Sequence, residues 1–127
     1  MSIAITALYA GLLGVVLFVL SYRVVQQRRA SSISLGHKED KVLERRIRGH
    51  GNFVEYVPMC LILLAALEMQ GGPVWLVHGL GLMLLAGRLL HGYAFGFTDF
   101  SPLRMPGAAL TFTALALLSI ANVVMAF

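Results

Sequence analysis

The sequence is short of charge. Asp, Glu, Lys and Arg make up 13% of its 127 residues, against roughly 25% in an ordinary soluble domain. Acids are scarcest, six against ten Lys and Arg. A single cysteine, Cys60, excludes an intrachain disulfide and so a disulfide-stapled secreted module. In their place 58% of the residues are hydrophobic. A chain this short leaves much of its surface outside any core and cannot hide that much apolar side chain from water. The composition excludes a water-soluble single domain and a disordered chain. A net charge of +4 would suit nucleic acid, but the basic residues cluster as they do beside membrane spans, so no nucleic-acid partner is expected.

About 30 Å of hydrocarbon requires roughly 20 helical residues at ~1.5 Å each. Ile3 to Tyr22 is a charge-free run of 20 residues, Gly71 to Gly87 one of 17, and Met105 to Phe127 one of 23. Tyr56 to Leu67 is only 12 residues long, between Glu55 and Glu68. It becomes a span as the apolar part of one long helix over Val42–Glu68. The expected fold is an all-α membrane protein, a single domain over residues 1–127 with four transmembrane helices in a left-handed-type bundle. Gly71-Gly72-Pro73 reads as a tight hairpin, with Pro73 in the first turn of helix 3. Ala30 to Gly36, rich in small residues, reads as the start of the first loop.

Eight basic residues lie between helices 1 and 2 (Arg23, Arg28, Arg29, Lys38, Lys41, Arg45, Arg46, Arg48), and Arg88 and Arg104 flank the third connection. The positive-inside rule makes these two loops cytoplasmic and turns both termini outward. The first helix lacks a basic n-region and is read as retained rather than cleaved. A bacterial inner membrane is the expected location.

Arg45, Arg48, Asn52 and Glu55 are spaced three, four and three apart, forming one helical stripe that descends into the bilayer. Arg45 and Arg46 alone read as topology determinants and headgroup contacts. Arg48, Asn52 and Glu55 demand more, because an ionised group at the bilayer centre costs about 2.5–3.5 kcal/mol and needs a partner. That partner is a cationic ligand amine, an arginine, or another helix without any ligand. Arg88 and His91 share a face of helix 3, and Arg104 opens helix 4. These arginines converge near Tyr56 and Tyr93 at one level, suiting a small anion by planar two-point contacts or a phospholipid headgroup.

The pattern Arg48-x-x-x-Asn52-x-x-Glu55-Tyr56-x-Pro58 resembles the helix 2 signature of the MAPEG family, the membrane-associated proteins in eicosanoid and glutathione metabolism. Arg88-x-x-His91 followed by Arg104 resembles the matching segment of its prostaglandin synthase branch. The resemblance implies a homotrimer with one glutathione, the co-substrate, in each inter-subunit cleft on the cytoplasmic side. It implies Arg48, Asn52, Glu55 and Tyr56 from one subunit and Arg88, His91, Tyr93 and Arg104 from its neighbour, with Arg28 or Arg29 closing the pocket. Glu55 would pair with the γ-glutamyl amine, and Arg104 would be catalytic, stabilising the glutathione thiolate for attack on a hydrophobic small molecule arriving from the membrane lipid. Gly51, Phe95 and Met105 depart from the prostaglandin branch, which has arginine, tyrosine and serine there. The activity implied is therefore a glutathione transferase or peroxidase of unspecified acceptor. The alternative is a non-catalytic protein of the same fold that holds a lipid or another hydrophobic ligand. A small multidrug exporter would carry an acid in its first span, and Ile3–Tyr22 has none.

Other polar residues receive structural readings. Cys60 is expected to be a buried neutral thiol, His78 a packing residue, Pro58 a kink in helix 2, and Glu68 a residue of the outer interface. His37 and His50 lack partners at metal-ligand spacing, so no metal site is expected.

Overall fold

A computed structural model describes residues 2–99 and 101–127. Its elements are α1 (Ala4–Ser31), α2 (Lys41–Met69), α3 (Val74–Gly96) and α4 (Arg104–Met125), and among the described residues there is no strand. All four are long and apolar enough to cross a membrane. The expected four spans are present, with α2 within one residue of Val42–Glu68 at each end.

Two helices run well past their charge-free segments. α1 continues nine residues beyond Tyr22, so that Ala30 and Ser31 are helical rather than loop. Hydropathy ends at Arg23, but helical backbone does not, because Arg23 finds partners: its Nε donates to the Gly96 carbonyl at 2.9 Å and its Nη1 to Gln26 Oε1 at 2.9 Å. The 28 residues of α1 span ~42 Å, leaving about 12 Å outside a ~30 Å hydrocarbon layer. α3 likewise starts at Val74, with Pro73 as its cap residue rather than in its first turn, and passes through Arg88 to Gly96.

The helix ends are specified locally. Ser32, at φ 55°, stops α1 in the left-handed conformation, and the Ile33 amide donates back to the Arg28 carbonyl at 3.1 Å. Asp40 caps α2, accepting from the amides of Val42 at 3.0 Å and Leu43 at 3.1 Å. Its other oxygen accepts from Ser31 Oγ and, at 3.0 Å, from Gln27 Nε2. One carboxylate thereby clips the end of α1 to the start of α2. At the opposite end Gly71 takes φ +79°, and the Gly72 amide donates to the Leu67 carbonyl at 2.9 Å.

Glu68 takes a role that its position in the sequence does not announce. From the last turn of α2 it accepts from the amides of Ile5 at 3.0 Å and Thr6 at 2.8 Å, and from Thr6 Oγ1 at 2.7 Å. It is the cap of α1, supplied by another helix at the end where unpaired amides and the helix dipole favour an anion.

α2 and α3 form the centre. α1 packs on both, α4 packs on both, and α1 and α4 do not touch among the described residues. Leu13, Phe53, Val57, Cys60, Leu64, Leu84, Ala114 and Leu118 fill the core, and Cys60 is fully buried as expected. His78 packs edge-on to Tyr9, with Nδ1 3.0 Å from the Tyr9 hydroxyl. α3 and α4 meet at glycine: a Cβ added to Gly107 would lie 2.6 Å from the His91 amide nitrogen. That close approach brings Arg88 and His91 against α4.

Candidate functional site

The centre of the site is Arg88, whose side chain is fully buried. Its Nη1 donates to Asn52 Oδ1 at 2.8 Å and makes a longer contact to Thr111 Oγ1 at 3.5 Å, and its Nη2 lies 3.3 Å from His91 Nδ1. The guanidinium also lies 5.5 Å from the centre of the Phe53 ring. No carboxylate pairs with it among the described residues, and Nε has no hydrogen-bond partner. Burying a guanidinium costs several kcal/mol unless its donors are satisfied. Here neutral acceptors on α2, α3 and α4 do part of that work, and the positive field is left uncancelled for an anion beside it.

Thr111 is held in turn, donating to the Gly107 carbonyl at 2.9 Å. His91 stacks on Phe95 with ring centres 4.5 Å apart and planes 18° from parallel, and the Arg104 guanidinium lies 5.8 Å from the same Phe95 ring. Tyr56 meets Phe112 edge-to-face at 5.1 Å, which fixes the α2 face bearing Asn52 and Tyr56 toward α4. Arg48 and Glu55, one turn before and one turn after Asn52, are exposed and form no ion pair among the described residues. Arg104, first residue of α4, is likewise exposed and unpaired among them.

Arg45 donates through Nη2 to Asp99 Oδ1 at 2.8 Å, tying the start of α2 to the α3–α4 connection. With Ala94, Phe95, Ser101 and Arg104 the pair lines a small recess of about 50 Å³.

The arrangement therefore brings Asn52, Arg88 and His91 together inside one chain, with Tyr56 and Arg104 on the same α2–α3–α4 side. Tyr93 lies apart from the set. It is exposed on the α1–α3 seam, 6.1 Å from the Phe97 ring, because two residues on from His91 turn a helical side chain to the other side. Arg28 is engaged at the loop, donating to the carbonyls of Gly36 at 2.7 Å and Ile33 at 3.3 Å. Arg29 is exposed at the end of α1.

Thr111, Phe53 and Asp99 complete the surroundings without having been singled out in the sequence, beside Phe95, which the sequence marks only as a departure from the prostaglandin branch. Thr111 had a signal, a hydroxyl four residues after Gly107 in a mostly apolar helix. Asp99 had none, since its pairing with Arg45 depends on how the chain turns between α3 and α4.

Four membrane-length helices, a buried arginine shared by three of them, and unpaired arginines beside an amide and a carboxylate define the class. The MAPEG family model matches residues 6–124, and the chain belongs to the MAPEG family. Inner membrane protein YecN of Escherichia coli strain K12 is 40% identical over 118 residues, covering 93% of this chain and 89% of the relative. YecN of Escherichia coli O6:H1 gives the same identity and coverage. The chain is an integral membrane protein.

Proposed function

We propose that this protein binds glutathione between copies of itself in a homotrimer and activates its thiol for transfer to, or reduction of, a hydrophobic electrophile from the lipid. The observation that carries the reading is the set of unpaired charges around Arg88: Arg48, Glu55 and Arg104 exposed on one side of a buried guanidinium that no acid neutralises among the described residues. A peptide with two carboxylates, one ammonium and one thiol matches those charges in sign. Glu55 would take the ammonium, Arg48 a carboxylate, and Arg104 the sulfur. Arg28 or Arg29 of a second copy would close the cleft.

The chemistry asks little of the protein. A thiol with a pKa near 8.5 is only a few per cent thiolate at neutral pH. A fixed guanidinium at the edge of a low-dielectric site favours the anion and lets the proton go to water. In transfer the thiolate sulfur bonds to an electrophilic carbon and the electron pair of the broken bond departs with the leaving group. In reduction it bonds to one peroxide oxygen, the other leaves as an alkoxide that takes a proton from water, and a second glutathione converts the sulfenic acid to disulfide and water. Residues of the chain bind and orient; none forms a covalent bond.

The membrane relative and the clustering of basic residues at one end of the bundle support an inner-membrane setting with both termini outside. One observation favours the second reading, a ligand-holding protein without catalysis. Phe95 places a ring, not a hydroxyl, against His91 and beneath Arg104, so sulfur stabilisation would rest on Arg104 alone.

The test is the ultraviolet absorbance of the thiolate as glutathione is titrated into detergent-solubilised protein near pH 7, beside Arg104→Ala. A band that saturates and disappears in the variant supports the activated thiol. Saturable binding without a band supports the ligand-holding reading, and no binding at millimolar glutathione overturns both for glutathione.

A further inference from the structure

On the side of α3 away from the Arg48–Glu55 stripe, the α1–α3 seam opens into an apolar groove of about 390 Å³. Val15, Val16, Val19 and Leu20 of α1 form one wall, and Leu89, Tyr93 and Phe97 form the other. Val15 is 62% exposed, Leu89 51% and Tyr93 52%, so nothing among the described residues covers the groove. Gly92 puts no side chain of its own into the seam, where the Leu20 side chain lies at ordinary contact distance from the position its Cβ would take. Arg88 reaches the inner wall, but its terminal nitrogens are already engaged with Asn52, Thr111 and His91.

The groove has a polar end. Arg23, one turn past Leu20, lies with its guanidinium 4.4 Å over the Phe97 ring and is anchored through Nε on the Gly96 carbonyl. Arg46 comes to the same place, its Nη1 donating to the Arg23 carbonyl at 2.9 Å. Neither arginine pairs with an acid among the described residues. Tyr22, Tyr93 and Phe97 are exposed around this end, as aromatic side chains are at a headgroup boundary. An apolar channel within the hydrocarbon that finishes at the Arg23 guanidinium over Phe97, with Arg46 anchored beside it, is complementary to one kind of molecule: long, apolar and negatively charged at one end.

We propose that this groove is a binding site for an anionic phospholipid, one acyl chain lying along Val15, Val19 and Leu89 and the phosphate meeting Arg23. The site is separate from the glutathione reading and stands or falls without it. Electrostatics sets the selectivity: a basic residue near the membrane surface favours an anionic lipid by about 1 kcal/mol, or roughly five-fold.

Trp75 is the single tryptophan, so a Trp75→Phe, Tyr93→Trp protein carries one fluorescent reporter at the groove. In phosphatidylcholine nanodiscs, phosphatidylglycerol brominated on its acyl chains should half-quench this reporter at a mole fraction about five-fold lower than brominated phosphatidylcholine does. Arg23→Gln should bring the two curves together. Native mass spectrometry of the unmutated protein should show phosphatidylglycerol retained in preference to phosphatidylcholine, which guards against a reporter that fails to fold. Coincident quenching curves, or a preference that survives Arg23→Gln, would overturn the proposal. So would a reporter that neither lipid quenches, the result expected if a second copy of the chain covers the groove.

Discussion

Arg88 Nη1 and Asn52 Oδ1 meet at 2.8 Å within one chain, joining α3 to α2 where both helices are buried on those faces. The amide does two things at once: it satisfies a donor of a guanidinium that water does not reach, and it orients that guanidinium toward α4. Asn52→Leu should therefore lower unfolding free energy by about 1.5–3 kcal/mol, the range for a hydrogen bond to a charged group. Arg88→Met in the same background should recover part of the loss. Thermal unfolding in detergent across the four-protein cycle checks this, with a coupling above about 1 kcal/mol expected for direct partners.

Glu68 gives the second prediction. Because its carboxylate caps α1 from α2, Glu68→Ala should free the first amides of α1 and cost about 1 kcal/mol. Hydrogen exchange should speed up at Ile5 and Thr6 first, while the amides around Asp40 stay as protected as before. Uniform loss of protection along all four helices would argue for a general packing defect instead.

Asp40 sets a pH dependence. Its carboxyl is held down from the ordinary 3.8 to about 2, chiefly by the Gln27 amide, then by the Ser31 hydroxyl and the Leu43 amide. A lowered carboxyl pKa favours the folded clip above the ordinary value, and that contribution is lost as pH falls through the folded one. The α1–α2 connection should stay closed at pH 5 and loosen between about pH 4 and pH 2. Protease sensitivity at residues 32–39 should follow that window and lose its pH dependence in Asp40→Asn.

Gly107 tests the route by which α4 reaches the site. A Cβ there would fall 2.6 Å from the His91 amide nitrogen, backbone that cannot step aside. Gly107→Val should destabilise by about 1–3 kcal/mol as an overpacked contact and weaken any anion binding near Arg88. Gly51→Ala, on the same helix as Asn52 but with open space around it, should leave both nearly unchanged.

Much of this was legible before any coordinates. The four spans, the long α2 with its polar start, the buried Cys60 and the packing role of His78 all follow from apolar runs and their spacing. The boundaries that differ are local: Ala30 and Ser31, small residues that read as the start of a loop, form the last turn of α1, and Pro73 caps α3 instead of entering its first turn. In the site, helical spacing identified Arg48, Asn52 and Glu55 as one stripe. It did not reveal that Asn52 is bound to Arg88 of its own chain, because contacts between helices depend on rotations that no single helix encodes. The capping of α1 by Glu68 was hidden for the same reason, its two partners being 62 and 63 residues away.

That α1 and α4 do not meet among the described residues leaves the chain with two unlike flanks, one valine-rich beside a guanidinium, the other bearing Phe112, Leu117 and Ile120 on its exposed surface. Rotational rings larger than a dimer are built head to tail, each copy offering one surface and receiving a different one. In the ring proposed above, the spacing of those two flanks would follow from the α2–α3 pair that holds α1 and α4 apart.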